Sequence, residues 1–461
     1  GNATVDTGTN ALDIAASTIG GNLALTAGNH ITDSGVITVG GTSSFITDVN
    51  NKTITLSETH ALTGAVSFTT AGTTGDVALT TGTTALILGT STVNGDLAVT
   101  AGAAVTQSGA LTILGTTTVS ASGNDVTLNL ATNNFDSDNA GDQDVTITGK
   151  DVNIRDTNAI VLGRQTISGN LTVQAGGNIG DGGILTVSGT TTITGGGYVK
   201  FNNNGGSDYT GPVNIEADGQ IVLKDANSIE LGTITTTGAF TLTASQTTTG
   251  TVTQSGTITI EGSTSITNTG GDVTLTRATN NFGSDGTGPV AITGANVSIT
   301  DANLIDLGAS TVSGTYAVTA VTGNIIDSGD LTITRLATLT TSASNATITL
   351  DQTGNTFAAG VSLNTTGSSG NATVDTGTNA LDIAASTIGG DLTVTSGNVS
   401  GITDSGTVTV GGNLVATTDL NSGVIDLGTT TVTGTMDLTT NGSGNVTIDN
   451  GTSDIVLIAS E

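Results

Sequence analysis

The chain has 461 residues, of which 68 are glycine and 99 are threonine, with ten aromatic residues, two prolines and no cysteine or tryptophan. Eight Lys and Arg residues oppose 38 Asp and Glu residues, 33 of them Asp, for a formal net charge of −30. This charge repels phosphate and anionic lipid, which excludes nucleic acid as a partner. No apolar run reaches the length of a membrane-spanning helix, and the absence of cysteine excludes disulfides and thiolate metal sites.

The chain begins at Gly1, with no methionine and no basic and apolar signal segment ahead of it. We therefore expect a mature or internal piece of a longer product. A cysteine-free composition of this size is typical of large exported bacterial proteins rather than of small disulfide-bonded ones. The predicted location is extracellular or on the cell surface, without insertion into a membrane.

Internal repeats organise the sequence. The 21 residues GNATVDTGTNALDIAASTIGG at 1–21 recur unchanged at 370–390. A looser motif returns in chain order around the glycine before an LxV strand, at Gly21, Gly95, Gly169, Gly238, Gly314 and Gly390. These steps of 69 to 76 residues divide the 369-residue offset into five modules of about 74 residues. A fixed period of this kind is typical of solenoid architectures.

The predicted modules cover residues 1–83, 84–157, 158–226, 227–302, 303–378 and 379–461, the last one incomplete. Each has a DSG-like turn, which begins at Asp33, Gln107, Asp181, Gln254, Asp327 or Asp404. The segment DVTLNLATNNF from Asp125 returns as DVTLTRATNNF from Asp272, 147 residues later. Because no charged or proline-rich linker interrupts the modules, we predict one continuous array over residues 1–461.

Within a module, Val, Ile and Leu alternate with Thr over three to six residues, and Gly, Asn, Asp and Ser separate these stretches. Period-two alternation predicts short β-strands, and no segment has helical periodicity. We predict an all-β, right-handed parallel β-helix, or β-solenoid, with three to four coils per module. Coils of about 18 to 25 residues, stacked about 4.8 Å apart, would give roughly 20 to 25 coils and a rod of about 100 to 120 Å.

Phrases such as GNLTVQAGGNIGDGGILTVSGTTTITGGG, residues 169–197, resemble the repeats of filamentous-haemagglutinin-type adhesins and other bacterial β-strand-repeat surface proteins. The resemblance covers the whole chain through its repeat style. It implies secretion, a right-handed β-helical shaft and a role in adhesion, aggregation or extracellular fibres. The secretion domain and caps that accompany such shafts do not occur in this sequence.

We predict no catalytic residue and no cofactor. Parallel β-helix enzymes cluster carboxylates and bind sugars on aromatic platforms, whereas the aspartates here keep the module period, as turn residues do. His30 and His60 are isolated in the sequence, and the turn equivalents of His30 are Val399 and Ala104, which favours a surface turn. A polysaccharide-processing enzyme remains a less favoured alternative.

One acidic stretch resembles part of a calcium loop. Asp136, Asp138, Asp142 and Asp144 follow Phe135, but a later bidentate glutamate is missing, and the related stretch after Phe282 keeps only Asp285. Structural calcium is therefore an alternative to a solvated acidic loop. No metal ligand is assigned.

Three further features bear on function: two recurring phenylalanines, the TxT strings and one irregular segment. Phe135 and Phe282 are expected to fill the core or a corner. TxT strings suggest an ice-binding face, but such a face needs TxT at the same place in consecutive coils, so Thr is interpreted as a general strand residue. The most irregular module contains FNNNGGSDYTGPV from Phe201, which we interpret as an insertion and the candidate recognition patch.

The sequence thus favours a non-enzymatic rod or fibre segment of a giant repetitive surface protein, supporting adhesion, aggregation or matrix formation. The alternative is an adhesin shaft with a specific glycan or receptor site. Uncapped coils are expected to associate end to end into fibres. Side-by-side contact between such acidic surfaces should be repulsive unless divalent cations bridge them.

Overall fold

The computed structural model describes residues 1–136, 143–202, 206–244, 250–283, 288–420, 422–452 and 454–456. These residues form short β-strands and no helix, so no helix of membrane-spanning length and hydropathy occurs among them. The chain groups into two units, Gly1–Asp225 and Ala226–Glu461. Each unit is a parallel β-solenoid, and together they make about 20 turns. The predicted fold class is confirmed.

The strands of unit 1 are two to nine residues long, because a glycine, asparagine or aspartate turn follows most of them. They are β1 Ala3–Asp6, β2 Leu12–Ile14, β3 Ser17–Ile19, β4 Leu23–Ala27, β5 Ile31–Asp33, β6 Ile37–Val39, β7 Ser43–Asn50, β8 Ile54–Leu62, β9 Val66–Ala71, β10 Val77–Thr81, β11 Leu86–Leu88, β12 Ser91–Val93, β13 Leu97–Ala101, β14 Val105–Gln107, β15 Leu111–Ile113, β16 Thr117–Ser120, β17 Val126–Leu128, β18 Asn134–Phe135, β19 Asp144–Gly149, β20 Val152–Asp156, β21 Ile160–Ile167, β22 Leu171–Ala175, β23 Ile179–Asp181, β24 Leu185–Val187, β25 Thr191–Gly195, β26 Val199–Phe201, β27 Asp208–Tyr209, β28 Val213–Ala217 and β29 Ile221–Lys224.

The strands of unit 2 have the same character. They are β30 Ile229–Thr236, β31 Phe240–Thr243, β32 Val252–Gln254, β33 Ile258–Ile260, β34 Thr264–Thr267, β35 Val273–Leu275, β36 Asn281–Phe282, β37 Val290–Gly294, β38 Val297–Asp301, β39 Ile305–Leu307, β40 Ser310–Val312, β41 Tyr316–Ala320, β42 Ile325–Asp327, β43 Leu331–Ile333, β44 Ala337–Ser344, β45 Ile348–Leu350, β46 Thr356–Phe357, β47 Val361–Thr366, β48 Ala372–Asp375, β49 Leu381–Ile383, β50 Ser386–Ile388, β51 Leu392–Ser396, β52 Ile402–Asp404, β53 Val408–Val410, β54 Leu414–Thr418, β55 Ile425–Leu427, β56 Thr430–Val432, β57 Met436–Thr440 and β58 Val446–Ile448.

Each coil has a straight side and a bent side. In unit 1, the straight strand β4 pairs with β1 and β7 on one sheet, which we call S1. The rest of that coil, β5 and β6, forms two three-residue strands on the opposite sheet, S2, with the DSG turn between them. Paired residues of successive coils are 19 positions apart at Leu86–Val105 and 26 apart at Val126–Val152. Coil length therefore varies within the array.

The straight and bent sides exchange sheets from one module to the next. In unit 1, the related strands LALTA (β4), LAVTA (β13) and LTVQA (β22) lie on S1, S2 and S1 in turn. In unit 2, the equivalent strands β31, β41 and β51 alternate between its two sheets in the same way. A module thus completes three and a half coils, and two modules complete seven. This accounts for the 147-residue recurrence of the ATNNF segment.

Inward residues of successive coils stack as apolar ladders. Leu79, Val99, Val119 and Ile147 are register partners on S2, and each is 1% exposed. In the first module, the rings of Phe45 and Phe68 stack with centroids 5.7 Å apart. Burying one such side chain stabilises the fold by roughly 1.5–3 kcal/mol. The core of each unit is therefore a thin continuous column of aliphatic side chains.

Corners before the straight strands are built from an Asx residue and a glycine. The backbone N–H of Asp96 donates to Asp76 Oδ1 at 2.9 Å, and the N–H of Thr116 donates to Asp96 Oδ1 at 2.8 Å. The side chain of one coil thus satisfies the backbone of the next. Because this oxygen lies over Gly115, a Cβ there would approach it closer than 3.0 Å. Glycine at this corner is a steric requirement.

Candidate functional site

His60 and Asp33 meet in the core of unit 1. The His60 side chain is fully buried, and its Nε2 lies 3.3 Å from Asp33 Oδ2. The backbone N–H of Ile37 donates to His60 Nδ1 at 3.0 Å, which places the imidazole proton on Nε2. Asp33 also accepts hydrogen bonds from the N–H groups of Ser57 and Glu58, at 2.7 and 3.0 Å. His60, isolated in the sequence, is therefore paired in the fold.

Burial lowers the pKa of His60 below 6.5, although the carboxylates of Asp33 and Glu58 act in the opposite direction. The imidazole is accordingly neutral at pH 7. A neutral histidine beside an aspartate is also the arrangement of a catalytic base. The equivalent positions in the other modules decide between a chemical and a structural role.

Those positions hold asparagine in the second, fourth and fifth modules, serine in the third and threonine, Thr430, in the sixth. The backbone N–H groups of Leu111, Ile258 and Leu331 are equivalent to that of Ile37, and each donates to an asparagine side-chain oxygen: Asn133 at 3.1 Å, Asn280 at 3.1 Å and Asn355 at 2.8 Å. In the third module, the N–H of Leu185 donates to Ser207 Oγ at 3.2 Å. His60 thus makes the backbone contact that asparagine makes elsewhere.

The first residue of the DSG turn completes a recurring arrangement, which we call the polar core pair. Gln107 and Asn133 exchange two hydrogen bonds, at 2.7 and 2.9 Å, and Gln254 and Asn280 do the same at 2.9 Å. Asn355 donates to Asp327 Oδ2 at 2.7 Å. The pairs are Asp33–His60, Gln107–Asn133, Gln254–Asn280 and Asp327–Asn355. The aspartates predicted as turn residues thus also contact the core.

Buried aspartates form a second recurring arrangement, which the sequence analysis missed. Asp156 Oδ2 accepts a hydrogen bond from the N–H of Phe135 at 2.7 Å, and Oδ1 accepts one from Asn158 at 2.6 Å. Asp301 accepts the same bonds from Phe282 and Asn303, at 2.7 and 2.6 Å. We call Asp156 and Asp301 the aspartate clamps. The recurrence of Asp-x-Asn in RDTN, KDAN and TDAN was the available signal.

Burial raises the pKa of both clamp carboxyls to about 6, although their backbone hydrogen bonds oppose the shift. Asp136 adds a repulsive charge beside Asp156. A carboxyl with a raised pKa is a candidate general acid. Each clamp, however, is 1% exposed or less, and its carboxylate accepts hydrogen bonds from backbone N–H groups. The clamp therefore stabilises the corner that carries the aromatic residue.

The predicted recognition patch is part of the module pattern rather than an insertion. Val187 pairs with Tyr209 as Ile113 pairs with Phe135, which places SDY of the third module where NNF lies in the second. Phe201 and Tyr209 are each no more than 1% exposed. Residues 203–205 of the patch lie outside the described residues. The aromatic side chains of this segment therefore fill the core, as Phe135 and Phe282 do.

The acidic stretch after Phe135 is only partly described. Asp136 and Asp144 lie in the described residues, whereas Asp138 and Asp142, and Asp285 of the related stretch, lie outside them. Among the described residues, no group of three or more His, Asp or Glu side chains is arranged to hold a metal ion. Calcium binding by this stretch stays a prediction.

The remaining candidates lie on the surface or in strands. His30 is half-buried, and its Nδ1 accepts the backbone N–H of Thr53 at 3.1 Å. Thr192 and Thr194 form an outward TxT pair. The register partners of Thr194 are Gln174 on the preceding coil and Glu216 on the following coil. The TxT pair is therefore not continued on either neighbouring coil at this place.

A family model described as Repeats of unknown function (DUF5649) matches the chain at residues 1–69, 74–140, 149–216, 218–287, 294–364 and 369–427. The matches cover most of the sequence. The chain belongs to this family. No curated protein and no solved structure matches it.

The DUF5649 repeats follow the predicted modules in number and order. The matched ranges are 59 to 71 residues long, close to the predicted module length of about 74 residues. The first five contain both positions of the polar core pair, from Asp33 and His60 in the first to Asp327 and Asn355 in the fifth. One DUF5649 repeat thus corresponds to one block of about three and a half coils, and four of the six repeats carry a polar core pair.

Proposed function

We propose that this chain is a non-enzymatic structural segment of a giant repetitive bacterial surface protein, located outside the cell. The observation that carries the proposal is that His60 and Asp33, the pair with the most catalytic character, repeat as Gln107–Asn133 and Gln254–Asn280. An active site is expected at one place in the array, whereas this arrangement recurs in four of the six modules. The resemblance to filamentous-haemagglutinin-type shafts supports the same role.

The mechanical function would follow from stacking. Within each unit, backbone hydrogen bonds join successive described coils, and apolar ladders, Asx corners and core pairs add side-chain links between them. Bending such a column requires many of these bonds to lengthen together, which makes it stiff. No cofactor is needed for this role, and calcium in the stretch after Phe135 would be an addition to it.

The proposed partner is another coil of the same type, which stacks end to end. A coil without a neighbour leaves the N–H and C=O groups of its strands unpaired, and these groups template a further parallel strand. The identical segments 1–21 and 370–390 form the same three strands within their own units, so one coil sequence suits more than one neighbour. Fibres built by axial stacking are the expected assembly.

Two measurements test the proposal. Antibodies against the chain should label unpermeabilised cells, and electron microscopy of the purified protein, with and without a chelator, should show axially stacked fibres. Labelling only after permeabilisation would contradict the location. Isolated particles that calcium does not change would contradict axial assembly.

An adhesin shaft with a specific glycan or receptor site is the second candidate. One observation favours it: the number of residues between the corner aromatic and the next strand differs between modules, with eight between Phe135 and Asp144 and three between Tyr209 and Val213. Recognition is usually located where a regular scaffold varies in length. Replacing residues 136–143 by TGP, the sequence of 210–212, should abolish binding on a glycan or receptor array if this candidate is right.

A further inference from the structure

The basic residues of this acidic chain are unevenly distributed. Five of the eight, Lys150, Arg155, Arg164, Lys200 and Lys224, lie within residues 150–224, together with six acidic residues. The rest of the chain has three basic and 32 acidic residues. One stretch is therefore nearly neutral in a chain of net charge −30, and the proposed structural role does not account for it.

Three of these cations lie on sheet S2 of unit 1. Arg164 is exposed at the irregularity of β21, and Lys200 and Lys224 point outward from β26 and β29. Lys200 pairs with Val222, so Lys224 lies one coil further and two residues along, about 8 Å away between Cα atoms. Arg155 belongs to β20 on S1 and points elsewhere.

An exposed aromatic ring adjoins one of these cations, Lys200. Lys200 Nζ lies 4.3 Å from the ring centroid of Tyr198, which is 38% exposed, whereas Tyr209 and Tyr316 are buried. We call Arg164, Tyr198, Lys200 and Lys224 the basic face. Tyrosine and arginine are enriched at the centres of protein interfaces, where a ring supplies contact area and a cation supplies a directed charge.

The carboxylates near the basic face do not neutralise it by direct contact. Asp144 lies beside Gly163 and Gly182, and Asp208 points outward from β27 on the same sheet. Among the described residues, ion pairs within 4.0 Å involve only His60 and Lys150 as the cationic partner. The three cations of the basic face are therefore available to an external anion.

We propose that the basic face binds the acidic surface of a second copy of this chain. The argument is charge complementarity, because each copy carries both this face and a surface with a large excess of aspartate. The contact joins two different surfaces, so it does not close on itself and can continue from copy to copy. This lateral contact holds whether or not the chain also stacks end to end, and it needs no divalent cation.

The experiment is sedimentation velocity of the full chain in EDTA, at about 0.02 M and about 0.5 M NaCl, because salt at the higher concentration screens exposed charges beyond a few ångströms. We expect association at low salt that disappears at high salt. The double variant K200E/K224E should weaken the association at least tenfold. Both side chains are half-exposed and point away from the core, so far-UV circular dichroism should not change.

The matched control is K52E/R335E, which makes the same change in net charge outside residues 150–224. It should leave the association within about twofold of the wild type. A control effect as large as that of K200E/K224E would overturn the basic face in favour of net charge alone. Absence of association at low salt, or association that appears only when calcium replaces EDTA, would overturn the proposal as well.

Discussion

Buried ionisable side chains in this protein have backbone amides as their main partners. Ile37 donates its N–H to His60, and Phe135 and Phe282 donate theirs to Asp156 and Asp301. These N–H groups belong to buried corner residues and need an acceptor, because an unsatisfied buried N–H costs about 1–3 kcal/mol. The residue at such a position is therefore explained by its ability to accept a hydrogen bond from the backbone N–H, and not by a catalytic role.

His60→Asn should therefore be tolerated, with a change within about 1 kcal/mol, because asparagine accepts the same hydrogen bond in three other modules. His60→Leu should destabilise the fold by about 1–3 kcal/mol, since Ile37 N–H and one side of Asp33 lose a partner. Thermal and denaturant unfolding at pH 7.5 measure both. Equal damage by the two variants would show that His60 has a role that asparagine cannot fill.

The same variants differ in their response to pH. The pKa of His60 is lowered in the folded state, so the unfolded state binds the proton more readily below pH 6.5. Wild-type stability should fall relative to His60→Asn as the pH drops from 7 to 5. Unfolding curves across this range give the difference, and a constant difference would contradict a neutral buried imidazole.

The aspartate clamps are expected to change stability with pH in the opposite direction to His60. Their pKa of about 6 lies above the ordinary value of 3.8, so the folded state binds more protons between these values. Their contribution to stability should grow as the pH falls from 7.5 to 5. Asp156→Asn and Asp301→Asn should therefore be more destabilising, relative to wild type, at pH 5 than at pH 7.5. Gly180→Ala, which changes no ionisable group, serves as the control and should have the same effect at both pH values.

At the scale of the element, the Asx and glycine corner sets where each straight strand starts. Asp96 Oδ1 accepts the N–H of Thr116 over Gly115, so the corner depends on a side chain of one coil and a bare backbone in the next. Some glycines outside these corners have no such neighbour. Gly180 points outward from β23, and an added Cβ meets nothing within 4 Å.

Gly115→Ala should lower stability by about 1–3 kcal/mol, because the Cβ displaces Asp96 and the backbone of Gly95. Gly180→Ala should be nearly neutral and provides a matched control within the same unit. Chemical denaturation of both variants measures the contrast. Comparable losses at the two positions would mean that backbone freedom, and not contact with Asp96, explains the corner glycines.

At the scale of the whole molecule, the length of a module, three and a half coils, determines which sheet carries the equivalent residues of each repeat. Ala24, Ala98 and Thr172 are equivalent outward residues in β4, β13 and β22, and they lie on S1, S2 and S1. A surface feature that recurs in every module therefore appears on alternating sides of unit 1. A feature that recurs in every second module appears on one side.

Spin labels on cysteines at positions 24 and 172 test this arrangement, since the chain has no native cysteine. Seven coils at about 4.8 Å predict about 34 Å between the labelled backbones. Pulsed electron resonance measures the distance, with the pair 24 and 98 as the opposite-side comparison. A distance that corresponds to six or eight coils would contradict three and a half coils per module.

Trypsin resistance is a second property of the assembled fold. The chain has eight cleavable residues, and Arg155, Arg164, Lys200 and Lys224 lie within hydrogen-bonded strands. Cleavage should be slow and should begin at the basic residues outside the strands, which are Lys52, Lys150, Arg277 and Arg335. Rapid digestion to small fragments under native conditions would contradict the described fold.

The sequence by itself determined the repeat period, the strand positions and the aromatic core residues. The identical 21-residue segments reveal the repeat period directly. Alternation of Val with Thr and turn residues at fixed places act within a few positions, so the strands are local features. The segment 1–21 forms the same strands as 370–390, although Val5 is 40% exposed and Val374 is fully buried. The same sequence thus forms the same strands with one paired neighbour, as for β1, or with two, as for β48.

Only the tertiary structure decided which residues face each other across coils. Asp33 and His60 are 27 positions apart, Gln107 and Asn133 are 26 apart, and Asp156 and Phe135 are 21 apart. Register partners of successive coils are 17 positions apart at Val290–Leu307 and 28 apart at Val119–Ile147, so spacing in the sequence does not identify the partner. Extra residues in one coil change the sequence spacing of the contacts across it, while the strands stay in register. For this reason the core pairs, the aspartate clamps and the exchange of sides emerge only when the coils are stacked.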